Sequence, residues 1–401
     1  MLSLDLLKEI SLKTPTKIVL IVMDGLGGLP NPTTGKTELE IARTPNIDSL
    51  LPHAICGLID PVSPGITPGS GPGHLALFGY DPIKYNIGRG VLEATGINFD
   101  LKPGDVAARG NFCSVDDKDL ITDRRAGRIA TEKNAELCKM IDGMTIQDVK
   151  VLCAPVKDYR FVAVFRGSGL YPDVNDTDPE ITGVAPLPLK AQTPAATKMA
   201  SIAAEFVSRA KAILAKQTPA NMILLRGFSV PPKMPTMREI YKVNPIAIAS
   251  YPMYRGLAKL VGMEVVDTGE TVQEEFATLK ENYGKYDYFF LHIKGTDSSG
   301  EDGDFTRKVK NIEQVDTALP AVIELKPDVL VITGDHSTPA MLKAHSWHPV
   351  PVMLSSNWCR TDNKDKFSET NCRTGEIGRM PTENLMTLMM ANALKLNKFG
   401  A

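Results

Sequence analysis

Short uninterrupted apolar runs punctuate this chain. Lys17 to Met23, Asn221 to Leu225, Tyr286 to His292, Asp328 to Thr333 and Val350 to Leu354 are strand-sized, contain β-branched or aromatic residues and are flanked by turn formers. A strand without polar alternation is covered on both faces, as in a parallel sheet between helix layers. Between the last three runs the period changes. Phe305, Val309, Ile312 and Val315 recur at helical spacing, and Lys308, Lys310 and Glu313 read as lying elsewhere on that helix. Strands alternating with helices predict an α/β fold, a mostly parallel sheet flanked by helices.

The middle of the chain breaks this pattern. From residue 86 to residue 219 it is interrupted by Gly/Pro/Asp-rich stretches, Gly167 to Pro188 being the clearest, and by an arginine-rich patch at Asp123 to Arg128. This predicts a smaller inserted α/β domain at 86–219, with residues 1–85 and 220–401 forming one discontinuous main domain.

Composition narrows the function. With 43% apolar residues the 401-residue chain can bury a sizeable core. Forty-five Lys+Arg against 47 Asp+Glu leave a net charge of −2 and no basic arm, so nucleic acid is not an expected partner. No apolar run approaches the ~20 residues of a membrane helix. The start of the chain carries Asp5 and Glu9 among its leucines, unlike a signal peptide. Six scattered cysteines without a CxxC pair read as reduced, and a cytoplasmic protein is expected. The number of subunits is left open, a homo-oligomer included.

Candidate chemistry lies where strands end. The first run closes in Asp24. A later one continues through His292 and Lys294 to Asp297, and another ends in Asp335-His336. Ligands of open α/β sheets bind outside the carboxyl ends of the strands, so three carboxylates delivered there on separate strands can share one site. Four of the six histidines (His292, His336, His345 and His348) fall near two of those acids in sequence. Imidazole with carboxylate suits a divalent cation such as Mn²⁺ or Zn²⁺. An aspartate after a strand equally serves as a turn former or helix cap, and a lone histidine as a core residue.

Residues Pro64 to Pro82 form a glycine- and proline-rich loop in which Ser70 precedes a short apolar run, Leu75 to Phe78. At a helix start, free N–H groups favour an anion, and a metal can ionise a serine hydroxyl; Ser70 can also simply cap the helix. Two other glycine-rich stretches carry nothing. Pro30 to Thr37 has proline where a phosphate-binding loop needs its first glycine, and Gly25 to Pro30 lacks the last glycine of the dinucleotide pattern.

Read in order, the motifs form one pattern. VMDGLGG (Val22 to Gly28), ARTPNID (Ala42 to Asp48), PGSGPGHLALFGYDP (Pro68 to Pro82), GRGVLEATG (Gly88 to Gly96), GDVAARGNF (Gly104 to Phe112) and DRRAGRI (Asp123 to Ile129) are followed by HIKGTD (His292 to Asp297), TGDHSTP (Thr333 to Pro339) and HSWHPVPVML (His345 to Leu354). The chain resembles the archaeal-type 2,3-bisphosphoglycerate-independent phosphoglycerate mutases, a branch of the alkaline phosphatase superfamily, over nearly its whole length.

The resemblance implies an alkaline-phosphatase-like main domain, an inserted lid domain that binds substrate, and an isomerase converting 3-phosphoglycerate to 2-phosphoglycerate in glycolysis and gluconeogenesis through a phosphoserine. It implies Ser70 as nucleophile between two divalent cations, Mn²⁺ or Mg²⁺, with no 2,3-bisphosphoglycerate. Asp24, Asp335 and His336 match the ligands of the cation that also holds Ser70; Asp297 and His345 match ligands of the other. The family usually places histidine four residues after that aspartate, where this chain has Glu301, retained as a ligand; His348 is near enough in sequence to be a spare ligand but reads first as a solvated turn histidine. Arg124 and Arg128, with Arg226 and Arg255, are the candidates for the substrate's carboxylate and phosphate. Alternatives with the same residues are a metal-dependent phosphatase, a phosphonate hydrolase or a phosphopentomutase-like enzyme, and, outside enzymes, a metal-binding regulatory protein.

Overall fold

Each apolar run forms a strand. The computed structural model describes residues 3–85 and 87–400. In chain order its strands are β1 (Ile18–Met23) and β2 (Ala54–Asp60), then β3 (Val106–Val115), β4 (Ile121–Asp123), β5 (Met144–Ile146), β6 (Val149–Lys157), β7 (Arg160–Arg166) and β8 (Met222–Ser229). They continue with β9 (Pro245–Ala249), β10 (Glu264–Val266), β11 (Tyr288–Ile293), β12 (Val329–Thr333), β13 (Val350–Ser356) and β14 (Gly378–Pro381). The chain forms two units, Met1–Asn86 with Met234–Ala401, and Ile87–Lys233.

The first unit holds an eight-stranded sheet in the order β10-β9-β11-β1-β12-β13-β2-β14. Only β13 runs against its neighbours, β12 and β2; the other adjacent pairs are parallel. β1, β11, β12 and β13 are buried almost throughout, which explains their unbroken apolar sequences. Register aligns the strand ends, since Val22 pairs with His292 on one side and Thr333 on the other. The chain therefore leaves β1, β11 and β12 at one level, immediately before Asp24, Lys294 and Gly334-Asp335. Helix Phe305–Ala318 packs Val309, Ile312 and Val315 into the core beneath the sheet. Among the described residues no helix is long and apolar enough to cross a membrane.

The second unit is an antiparallel sheet, β4-β3-β7-β6-β5 with β8 also paired to β3. Helices Thr131–Ile141 and Thr197–Leu214 cover one of its faces over a core that includes Phe161, Phe165 and Phe206. The insert was expected to close at 219, with the run from Asn221 in the main sheet. It extends instead to Lys233, because β8 hydrogen-bonds β3 from Cys113–Met222 to Ala107–Ser229. An apolar run announces a buried strand but not which sheet takes it. Asn86, the expected start of the insert, lies outside the described residues.

Candidate active site

Ser70 opens helix Ser70–Leu77. Gly69 holds the cap position and no side chain caps the helix, so Ser70 is not its cap. The helix lies tight against the loop after β12: a Cβ on Gly73 would stand 2.3 Å from the Asp335 carbonyl oxygen. That approach brings Ser70 Oγ to 3.2 Å from His336 Nε2.

The same nitrogen lies 3.2 Å from Asp24 Oδ1 and 3.2 Å from Asp335 Oδ2. Asp24, Asp335 and His336 are wholly buried, and among the described residues those two carboxylate oxygens accept no hydrogen bond. One N–H cannot serve three oxygens, and buried carboxylate oxygens are costly to leave unpaired. Four donor atoms converging in this way fit a divalent cation.

The neighbours of each ligand orient it for that task. Asp24 Oδ2 receives Tyr254 Oη at 2.5 Å, Lys294 Nζ at 2.9 Å and His292 Nε2 at 3.0 Å, leaving Oδ1 for the centre. Asp335 Oδ1 accepts from Gly25 N–H, and His74 Nδ1 stands 3.2 Å from Oδ2. Thr338 Oγ1 donates to Asp297 Oδ1 at 2.8 Å, so its lone pair accepts from His336 Nδ1 at 2.9 Å. With Nδ1 so engaged, Nε2 is the ring atom turned inward.

A second group forms around Asp297, His345 and the shared His336, whose ring stacks on that of His345 at 3.6 Å. Asp297 sits in the first turn of helix Gly295–Glu301 and lies 3.6 Å from His345 Nε2. His345 Nδ1 donates to the Pro68 carbonyl at 3.0 Å, again freeing Nε2. Lys294 Nζ spans Asp24 and Asp297, at 2.5 Å from the latter.

Charge follows geometry. Burial raises the Asp24 carboxyl, but the Lys294 ammonium, the hydrogen bond from His292 and the nearby His336 imidazole hold it well below the usual range. Burial lowers His336, yet Asp335, Asp24 and Asp297 outweigh it and lift the imidazole to about 9. The centre of this acid cluster attracts positive charge.

Of the remaining sequence candidates, Glu301 stands at the rim, its side chain 56% exposed and Oε1 3.9 Å from His345 Nε2. His348 Nδ1 turns to Ser346 Oγ. Arg255 pairs with Asp267 and the Val266 carbonyl. In the second unit Arg124 forks onto Asp178 at 2.8 and 2.9 Å, and Arg226 meets Asp178 and Glu180. Arg128 is exposed on left-handed backbone, φ 53°.

The sequence reading missed Arg109. Register places Arg109 opposite Arg226, and Asn111 opposite Arg160, on the face of β3 away from the Phe112 core. Arg109 is only 15% exposed and has Glu93 at 3.6 Å. Burial lowers its guanidinium, Glu93 raises it, and Arg160 and Arg89 push it down again. Arg109 Nε and Asn111 Oδ1 are buried and have no hydrogen-bond partner among the described residues. The legible signal was a charged residue at a strand position whose neighbours are apolar. His74 and Tyr254 were missed too, and His292 and Lys294, visible on the strand before Asp297, had not been assigned the ligand-supporting roles they share with them.

Comparison with known proteins identifies the family. The model of a family described as 2,3-bisphosphoglycerate-independent phosphoglycerate mutase matches residues 52–221. The chain is 51% identical to a probable 2,3-bisphosphoglycerate-independent phosphoglycerate mutase of Aquifex aeolicus, covering 99% of this chain and 100% of that one. It is 49% identical to one so named from Thermus thermophilus, covering 98% of each. Among solved structures it is similar to a Pyrococcus horikoshii protein (TM-score 0.84, 29% identity, 96% and 99% covered). It is also similar to a cofactor-independent phosphoglycerate mutase of Thermoplasma acidophilum (TM-score 0.71, 28% identity, 94% and 100% covered).

Proposed function

Because this chain belongs to the 2,3-bisphosphoglycerate-independent phosphoglycerate mutases, a family of isomerases, we propose that it interconverts 3-phosphoglycerate and 2-phosphoglycerate through a phosphoserine at Ser70, the step shared by glycolysis and gluconeogenesis. The observation that carries the phosphoserine is the approach of Ser70 Oγ to the point where Asp24, Asp335 and His336 converge.

Asp24, Asp335 and His336 would hold one divalent cation, and Asp297 and His345, with Glu301 at the rim, a second; the oxygen-rich donors suit Mn²⁺ or Mg²⁺. When bound, such cations neutralise charge on phosphoryl oxygens and lower the proton affinity of a hydroxyl.

The residues then divide the work. Ser70 Oγ attacks phosphorus in line, its new bond forming as the bond to the 3-oxygen of glycerate breaks, and the serine proton ends on that oxygen. Glycerate stays bound and presents its 2-hydroxyl, which takes the phosphoryl group and returns Ser70 to a hydroxyl. Lys294 holds Asp24 and Asp297 in place and offsets their charge. The guanidinium-rich face of the inserted unit, with Arg109 at its centre, binds the substrate's carboxylate, and that unit acts as the lid that keeps water out. Arg124 and Arg226 shape this face through Asp178.

An enolase-coupled assay on 3-phosphoglycerate with added Mn²⁺, run beside a phosphate-release assay, tests the reading. A mutase gives 2-phosphoglycerate with little free phosphate. Stoichiometric phosphate release would make the protein a hydrolase on the same machinery.

A further inference from the structure

Lys308 is wholly buried, although a lysine on an amphipathic helix normally faces water. On helix Phe305–Ala318 it projects between Ile312 and Val315, inside the apolar arc, so the expected polar-side position is corrected. Its ammonium donates to the Gly27 carbonyl at 3.0 Å and the Thr338 carbonyl at 2.9 Å. Glu38 Oε1 is 4.0 Å away and is itself held by Ala340 N–H.

Those two carbonyls belong to the loops that carry Asp24 and Asp335-His336. The loops also join directly, Thr338 N–H reaching the Gly25 and Gly27 carbonyls at 3.2 and 3.1 Å. Thr338 then turns its hydroxyl onto Asp297 Oδ1 and His336 Nδ1, one donor residue from each half of the site. A continuous chain of contacts therefore runs from Lys308 through Thr338 to both groups.

Burying an ammonium is expensive, and an apolar side chain of similar volume commonly serves a core as well or better. What an apolar residue cannot do is tether two carbonyls at once. We propose that Lys308 is a positioning residue for both metal groups, acting through Thr338. This rests on the reading of the acid–histidine cluster as a metal site.

The test is calorimetric titration of Mn²⁺ into the metal-stripped full-length protein, with a thermal melt of each variant. Lys308→Met and Thr338→Val should each weaken Mn²⁺ binding by on the order of 10- to 100-fold, the usual effect of losing an outer-shell partner. Thr338→Ser, which keeps the hydroxyl, should bind as the wild type does. The double variant Lys308→Met/Thr338→Val should bind no more weakly than its worse parent, since both changes cut one chain of contacts.

A folded Lys308→Met variant with Mn²⁺ affinity within twofold of wild type overturns the proposal. So does a double variant whose loss is the product of the single losses. Should Lys308→Met fail to fold, Lys308→Gln is judged by the same criteria. Absence of Mn²⁺ binding in the wild type, or full binding by Asp335→Asn, overturns the metal reading itself and this proposal with it.

Discussion

Replacing Arg109 by Met tests the assignment of the substrate's carboxylate to the inserted unit. The Arg109 side chain is only 15% exposed, faces Glu93 without a hydrogen bond from Nε, and is surrounded by the further positive charge of Arg89 and Arg160. An incoming carboxylate would find a desolvated fork with a donor to spare. Each charge-assisted hydrogen bond contributes about 1.5–3 kcal/mol. With one strong bond lost and a second made by a neighbour, the transition state loses about 3 kcal/mol, or about 150-fold in kcat/KM. Arg109→Lys should recover only part, because an ammonium cannot present two parallel donors. The single variant also strands Glu93, so the measurement needs Arg109→Met/Glu93→Gln beside it. Enolase-coupled kinetics and thermal melts on all three variants separate the effects. The reasoning fails if folded Arg109→Met keeps kcat/KM within threefold of wild type. It fails equally if the double variant regains wild-type kcat/KM, for then Arg109 serves only to neutralise Glu93.

Ser70→Ala should melt as the wild type does and form no acid-stable phosphoprotein from labelled 3-phosphoglycerate; label retained on the protein would move the nucleophile elsewhere. Asp335→Asn should lose bound Mn²⁺ and turnover together, as read by elemental analysis of the purified protein and the coupled assay. Glu301→His should leave or raise turnover and raise Mn²⁺ affinity if residue 301 is a ligand, whereas unchanged affinity in calorimetry would place it outside the site. On helix Val272–Asn282, burial and Glu274 lift the Glu275 carboxyl from 4.5 to about 8. The folded state thus keeps a proton that the unfolded chain gives up, and stability falls as pH rises from about 4.5 to about 8, then levels. Glu275→Gln should therefore gain in melting temperature over wild type across that window, and a difference constant with pH would refute the shift.

Much of the main sheet is legible because buried parallel strands write themselves as continuous apolar runs. The runs mark β1, β11, β12 and β13 to within two residues at each end. They mark β8 too, but not its sheet, since pairing between Leu225 and Gly110 spans more than a hundred residues and leaves no local trace. The acids at the strand ends are visible for the same reason as the strands. Arg124 and Arg226 stand out in the sequence as substrate candidates, but nothing nearby in sequence announces that both meet Asp178.

Lys308 and Arg109 share a different cause of invisibility. Amphipathic reasoning sorts charged residues to the wet side by default, so it discards the charged residues that do not go there. The wheel of helix Phe305–Ala318 already has Lys308 inside its apolar arc, and Arg109 already stands in a strand flanked by Ala107, Ala108 and Phe112. A charge that interrupts an apolar pattern must be offset by something the fold brings to it, because desolvation is costly. For Lys308 that is two loop carbonyls and Glu38; for Arg109 it is Glu93, at a distance that leaves a donor over. Asp24 shows the same logic completed. Three donors saturate its Oδ2, and the bare Oδ1 that remains is what makes the carboxylate available to a ligand. At Asp24 and Arg109 the partners leave one atom unmatched, and a ligand can complete it, whereas Lys308 gives its hydrogen bonds to the loops that build the site.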